Sequence, residues 1–583
     1  MAERREVERP AAGNVGALSW TSDAAAEMLR RLGIEHVALV PGSSYRGLHD
    51  SLVNYLGNER PRMMVCLHEE HAVAIAHGWA KVTERPMAAA VHANVGLMHA
   101  SMAVFNAWCD RAPILLLGAT GPVDATRRRP WIDWIHTAKD QGALIRDYVK
   151  WDAQPASAQS LVDDMARGFK LASEAPMAPV YVCLDVGLQE SALAEAPAFP
   201  DLERRRPAPS AAPNAEAVTR AAGLLRGAER PLILAGRVSR REDDWQRRLA
   251  LAEGLNARVL TDMKVAAAFP TAHRLHPLGP VFFMAEPAKA LIREADVILS
   301  LDWLDLGGTL AQAYDGGAVT ARIVSASLDE RLANGWSYDH QAAADVDVEL
   351  GALPDMAVAA LCAELGFSAA EPAQAPAPVT PPAAGPIDLT ALARATVAAA
   401  AGREVSFLRL PLGWPGSYFP VAGPLDYLGY DGGAGLGSGP GMAIGSALAL
   451  RGSGRLPVAV LGDGDFLMGA PALWTAAHYG VPLLIVVANN RSYFNDELHQ
   501  ERVARQRGRP VGNRWIGQRL DQPPVDIPAL SRSFGLEAPP RIERAEDLVP
   551  ALTTALDRVA AGAQVVLDVA IDPGYASEMV DKA

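Results

Sequence analysis

Asp463 and Asn490 are the residues best placed to do chemistry. An apolar run, Val458–Leu461, reads as a buried strand that ends at Gly462-Asp463-Gly464. A helical segment follows at Ala470–Tyr479, and a second buried strand, Leu483–Ala488, ends at Asn489-Asn490. Groups just past the carboxyl ends of neighbouring strands in an open α/β sheet converge on one crevice. The carboxylate and the amide oxygen therefore belong side by side, and such a hard-oxygen pair suits Mg²⁺ shared with a phosphorylated ligand. Gly462 and Gly464 let a diphosphate approach the backbone, and the amides that follow offer donors to it. Gly-Asp-Gly alone is a common turn. The order strand, Gly-Asp-Gly, helix, strand, Asn-Asn is what carries information.

Glu69 is the second candidate. It follows the strand Met63–Leu67, precedes the helix Ala72–Val82, and so points into a crevice as a group that can give and recover a proton. An acidic residue here also favours the helix start through the macrodipole, and that structural role is assigned to Glu70. His92 stands where the strand Met87–Val91 meets the crevice, and a neutral imidazole suits proton relay. His68, His71 and His99 are read as structural. Tyr430–Gly445, YDGGAGLGSGPGMAIG, is glycine-rich, but no hydrophobic strand precedes it, which argues against a dinucleotide loop.

Together these motifs resemble the thiamine-diphosphate-dependent enzymes of the 2-oxo acid decarboxylase and acetolactate synthase family, over nearly the whole chain, with benzoylformate decarboxylases the nearest likeness. Further likenesses are Pro41–Ser43, Gly78-Trp79-Ala80, Asn106–Trp108, Val149–Trp151, Ala178–Val182 and Ala472–Ala477. The resemblance implies thiamine diphosphate and Mg²⁺ as cofactors, with Asp463, Asn490 and the backbone oxygen of Ser492 on the metal. Gly462, Gly464 and Asp465 would flank the diphosphate, the carbonyl of Ala434 would take the 4′-amine, and Leu436 would prop the two rings apart. Glu69 would serve N1′ of the pyrimidine. Ser43, His92 and one of His273 and His276, with His276 preferred, would line the substrate side.

The implied reaction is decarboxylation of a 2-oxo acid through a C2 carbanion and an enamine. An acetolactate-synthase-like carboligase or acyloin lyase is the alternative, and a cofactor-binding homologue without turnover a second one. The implied assembly is a homodimer at least, expected as a homotetramer, with each site shared between subunits. Three features depart from the pattern. Asp465 stands where many relatives carry a small residue such as Ser, and a carboxylate there needs an outward rotamer or a compensating charge. Ser406–Pro424 lacks a Thr/Ser-rich start and brings Arg409 and Trp414. The stretch after Asn490 carries seven arginines from Arg491 to Arg519, and Phe494–Gln522 is expected to be a lid in which Arg502 or Arg505 meets an anionic group.

The elements that must position these residues alternate strand and helix, which argues for doubly wound parallel sheets. We expect an α/β chain of three such domains: a pyrimidine-binding domain at 14–192, a central domain at 210–366 and a diphosphate- and Mg²⁺-binding domain at 387–577. Residues 1–15 are expected to be a loose polar arm, and a Pro-rich stretch, Ala196–Pro213, reads as a connector. Residues 367–386, rich in Pro and Ala, form an extended linker. Expected strands are His36–Val40, Met63–Leu67, Met87–Val91, Ile114–Leu117 and Val180–Leu184, then Leu232–Ala235, Val259–Thr261, Val297–Leu301 and Ile323–Ser325. The 583 residues, half of them hydrophobic, suffice for large cores. A net charge of −13 argues against general nucleic-acid affinity. Four scattered cysteines without a CxxC suit buried thiols in a reducing compartment. No apolar run reaches the ~20 residues a membrane helix needs, and the charged start MAERREVERP has no signal-peptide core. A cytoplasmic enzyme with a small-molecule substrate, no nucleic acid and no membrane is the expectation.

Overall fold

A computed structural model of the chain describes residues 6–11, 16–332, 343–368 and 378–575. Three all-parallel sheets organise it. The first has β1 (His36–Leu39), β2 (Arg62–Val65), β3 (Met87–Val91), β4 (Ile114–Thr120), β5 (Asp152–Ala153) and β6 (Val180–Asp185), in the order β2-β1-β3-β4-β6-β5. The second has β7 (Pro231–Ala235), β8 (Arg258–Thr261), β9 (Val297–Leu301), β10 (Arg322–Ala326) and β11 (Val348–Glu349), in the order β11-β10-β9-β7-β8. The third has β12 (Val405–Arg409), β13 (Leu456–Gly462), β14 (Leu483–Asn489) and β15 (Gln564–Ala570), in sequence order. Most central strands are buried along their whole length, as strands covered by helices on both faces must be.

The register of the third sheet sets the site. Leu461 pairs with Val487 and Gly462 with Ala488, so β13 and β14 end level and release Asp463 and Asn490 at the same height. A helix starts directly at Asp463 and runs to Gly469, and a second covers Ala472–His478. The second is the helix expected at Ala470–Tyr479; the first precedes it and was not expected, and Pro471, which has no amide to donate to a continuous ladder, stands between them.

The first and third domains are joined by the helices Glu69–Thr83 and Gly439–Ala449. A Cβ on Gly78 would lie 2.1 Å from Met442 O, and one on Gly445 would lie 1.9 Å from Ile75 O. Only glycine allows backbones this close, and Ser446 Oγ donates to Gly78 O at 2.9 Å across the contact. One apolar cluster runs through this junction from Leu116 and Ile75 to Ile444, Leu461 and Ile485. A second joins the central and third domains through Leu299, Leu361, Leu392, Phe407 and Val486.

The polar arm is anchored where it is described: Glu8 accepts from His478 Nε2 at 2.8 Å and from Tyr479 OH at 3.2 Å. The remainder of residues 1–15 outside 6–11, residues 369–377 of the Pro/Ala linker, and residues 576–577 at the end of the third domain lie outside the described residues. Residues 378–386 carry no helix or strand. No helix among the described residues is long and apolar enough to cross a membrane.

Candidate cofactor site

A cavity of roughly 1590 Å³ opens at the carboxyl edge of the third sheet, walled on its far side by the central domain. Ala434, Leu436, Gly462, Asp463, Gly464, Asp465, Asn490 and Ser492 all line it. The metal-binding candidates converge on one amide: Ser492 N–H donates to Asp463 Oδ2 at 3.2 Å and to Asn490 Oδ1 at 2.9 Å. Arg491, with φ +58°, makes the reversal that turns this amide back. Asp463 is buried, its hydrogen bonds come from backbone amides, and burial pushes its carboxyl up to about 6. A buried carboxylate without a cation beside it fits a divalent metal, which would supply the missing charge.

The cradle fits a diphosphate as well. A Cβ on Gly462 would meet nothing within 4 Å, so its face is open to the cavity, whereas Gly464 is covered by the Tyr493 ring. Ala434 has φ +54°, an uncommon conformation for a residue with a side chain, and Leu436 is 37% exposed within the cavity. Asp465 resolves its own difficulty. Its Oδ1 accepts from the amides of Gly437 at 2.7 Å and Gly439 at 3.3 Å, and its Oδ2 lies 3.3 Å from the Arg409 guanidinium. The compensating charge is therefore Arg409, at the end of a strand the sequence reading did not name.

Ser43, Glu69 and His92 do not line this cavity. They form a second group on the first domain. Glu69 is buried, and a Cβ on Gly96 would come 2.8 Å from its Oε1, so glycine lets the helix Ala93–Cys109 close against it. Glu69 Oε2 lies 3.1 Å from His99 Nδ1, and the His68 and His99 rings stack at 4.9 Å. His99, read as structural, is thus a direct neighbour of Glu69. His92 caps the helix Ala93–Cys109, and its Nδ1 lies 2.7 Å from Ser44 Oγ. The serine bonded to His92 is Ser44. Ser43 Oγ instead accepts from Arg129 at 3.3 Å. Burial lowers the His92 pKa, and His136, whose ring meets it edge-on at 4.8 Å, adds to the effect.

His273 and His276 are brought to neither group. His273 Nε2 lies 3.0 Å from Glu253, and His276 Nε2 lies 2.9 Å from Thr261 Oγ1. Both are packed within the central domain against Phe269, outside the cavity, and burial pushes His276 down to about 4. The expectation that one of them faces the cavity is not met, because the FPTAHRLHP segment folds back on β8.

Phe494–Gln522, the segment expected to be a lid, is partly helical. Its first half is a helix, Phe494–Gln506, which forms one wall of the cavity. Several arginines serve the segment itself: Arg505 and Arg514 pair with Glu501, and Arg519 reaches the buried Glu497 at 3.4 Å. Glu497 in turn accepts from Ser492 Oγ at 2.5 Å, which ties the wall to the metal turn. Glu70 stands in the first turn of the helix Glu69–Thr83, as its helix-start role requires. Its Oε1 is buried without a hydrogen-bond partner among the described residues, and burial, then Asp465 and Asp431, push its carboxyl up to about 7.

Comparison with known proteins bears on the three domains. Residues 19–144 match the N-terminal TPP binding domain of thiamine pyrophosphate enzymes, residues 218–313 their central domain, and residues 412–569 their C-terminal TPP binding domain. The chain is 26% identical to benzoylformate decarboxylase of Pseudomonas aeruginosa over 577 residues, covering 91% of this chain and 95% of that one. It is 22% identical to acetolactate synthase of Bacillus subtilis over 563 residues, covering 93% and 91%. Among solved structures, benzoylformate decarboxylase of Polynucleobacter necessarius superposes with a TM-score of 0.78 at 20% identity, covering 96% of this chain and all of that one. With its three sheets in the places of the three matched domains, the chain belongs to the thiamine pyrophosphate enzymes, related to both benzoylformate decarboxylase and acetolactate synthase.

Proposed function

We propose that this protein is a thiamine-diphosphate- and Mg²⁺-dependent lyase that decarboxylates a 2-oxo acid. The observation that carries the reading is the convergence of Asp463 and Asn490 on the Ser492 amide at the mouth of a glycine-lined cavity. Asp463, Asn490 and the Ser492 carbonyl would hold Mg²⁺, and the open face of Gly462 would take the diphosphate. Ala434 and Leu436 would orient the rings. Bound thiamine diphosphate supplies a nucleophilic carbon and an electron sink for the departing carboxylate.

The chain's own residues would handle protons and orientation. Glu69 would hold the proton at N1′ of the pyrimidine. His92, kept neutral by burial and oriented by Ser44, would pass a proton to or from the substrate oxygen. Ser43, polarised by Arg129, would hold the substrate carboxylate. Because Glu69, Ser43 and His92 lie outside the cavity of their own chain, a second copy must bring them to it. A homodimer with shared sites is part of the proposal, and a homotetramer is the assembly expected.

The deciding experiment is a screen of 2-oxo acids, benzoylformate and pyruvate among them, with thiamine diphosphate and Mg²⁺, scored for CO₂ and aldehyde. Cofactor-dependent CO₂ release with a matching aldehyde supports the reading. Cofactor binding with no CO₂ release from any 2-oxo acid overturns it. A second reading, carboligation, is supported by the likeness to acetolactate synthase. It predicts an acyloin or acetolactate in place of aldehyde, with pyruvate alone or with an added aldehyde.

A further inference from the structure

Arg409 closes β12 and is buried. Its guanidinium donates to Asp431 Oδ2 at 2.8 Å, faces Asp465 Oδ2 at 3.3 Å, and stacks over the Tyr430 ring with its carbon 4.3 Å from the centroid. Each aspartate holds one end of the same glycine-rich loop. Asp431 begins it, and its Oδ2 also accepts from Ser438 Oγ at 2.9 Å. Asp465 accepts the amides of Gly437 and Gly439. The loop packs directly on Asp465 where only glycine fits, since a Cβ on Gly439 would lie 2.2 Å from its Oδ2, and Gly437, at φ +100°, holds a conformation that glycine tolerates. Between these two grips lie Ala434 and Leu436, which line the cavity.

We propose that Arg409 and Asp465 are positioning residues that clamp the loop 431–439 to the first turn of the helix Asp463–Gly469, and so place the ring-binding residues relative to the diphosphate cradle. The proposal rests on the thiamine diphosphate reading above. In this arrangement Asp465 gives its oxygens to the loop and to Arg409 and is no direct ligand of the diphosphate. Its carboxylate beside the cradle is tolerated because Arg409 balances it. The clamp acts on the ring half of the site and leaves the metal turn at Asp463, Asn490 and Ser492 untouched.

That division gives a test that needs no turnover. Binding to the purified full-length protein is measured by calorimetry with two probes, Mg²⁺–thiamine diphosphate and Mg²⁺–inorganic pyrophosphate. Asp465→Ala is expected to weaken thiamine diphosphate about tenfold or more, the cost of removing a buried charged acceptor from two amides, while pyrophosphate binding stays near the wild-type value. Asp465→Asn, which keeps an acceptor oxygen for Gly437 and Gly439, is expected to recover most of the loss. Should Asp465→Ala not fold, Arg409→Lys carries the same expectation, because one ammonium cannot span both aspartates as a guanidinium fork does. Wild-type protein that fails to bind thiamine diphosphate with Mg²⁺ overturns the cofactor reading and the clamp with it. Wild-type binding together with unchanged thiamine diphosphate affinity in the variant overturns the clamp alone, as does an equal loss for both probes.

Discussion

Glu69 Oε2 and His99 Nδ1 lie 3.1 Å apart, on the two helices that follow β2 and β3. The contact exists because Gly96, one turn before His99, has no side chain to hold the helices apart. A carboxyl so held is fixed in direction, as a proton-exchanging group must be. Glu69→Gln is therefore expected to bind thiamine diphosphate and Mg²⁺ near normally but to lose turnover by about 10²-fold or more, the usual worth of a positioned acid–base group. Calorimetry and exchange of the C2 hydrogen of bound cofactor, followed by NMR, separate the two effects. Near-full exchange in the variant would remove Glu69 from the proton relay.

Asp463 should behave in the opposite way. Its carboxylate is the one charged group among the three metal candidates, so Asp463→Ala is expected to lose Mg²⁺ and, with it, diphosphate affinity. Ligand that binds only the folded state raises its melting temperature. Wild-type protein should gain several degrees with saturating Mg²⁺–thiamine diphosphate, and Asp463→Ala should gain none. An equal gain in both would move the metal elsewhere.

Glu69 and Asp463 also report on assembly, since only one of them borders the cavity. Two inactive proteins, Glu69→Gln and Asp463→Ala, should regain activity when mixed and allowed to exchange subunits. The mixed dimer contains one site in which both residues are native. Formation of the mixed dimer, verified by mass spectrometry, with no return of activity would mean that each chain builds its site alone.

Glu70 yields a pH dependence. Burial, with Asp465 and Asp431 nearby, pushes its carboxyl up to about 7, above its value in the unfolded chain. The folded state thus binds this proton more tightly, and the stability so gained is full below the unfolded value and is lost as pH rises through about 7. Glu70→Gln, permanently uncharged, should raise the melting temperature of the cofactor-free protein at pH 8 and change it little at pH 5. The reverse order would show that Glu70 is ionised and paired in the folded state.

Strands with unbroken apolar runs were legible in sequence: β3 and β9 fall on Met87–Val91 and Val297–Leu301 as read. The pairing of Asp463 with Asn490 followed from two such strands ending together. β12 was not legible, because Ser406 and Arg409 interrupt its apolar pattern, and only the fold supplies Asp431 and Asp465 to neutralise that arginine. The same holds for His99, since nothing local links residue 99 to residue 69. His273 and His276 illustrate the converse. A histidine near a Pro and a Phe looks the same in sequence whether it faces a cavity or, as here, bonds Thr261 or Glu253 inside a core.

Arg502 and Arg505 differ in a way that sequence did not reveal. Both lie on the helix Phe494–Gln506 and both border the cavity. Arg505 is paired with Glu501 one turn earlier, and Glu501 also holds Arg514. Arg502 has no carboxylate partner among the described residues and donates instead to His499 Nδ1 at 3.0 Å. Its charge is therefore the more available to an anionic group on a ligand, and guanidinium grips carboxylate in a fork. Arg502→Ala is expected to raise KM for 2-oxo acids that carry a second carboxylate by about tenfold, the scale of one exposed or half-exposed charged contact, with kcat and the KM of uncharged substrates little changed. Arg505→Ala should leave both KM values near wild type, because its charge is already answered by Glu501. Steady-state kinetics with a monocarboxylate and a dicarboxylate 2-oxo acid check this, and equal behaviour of the two variants would return Arg502 to a purely structural place on the helix.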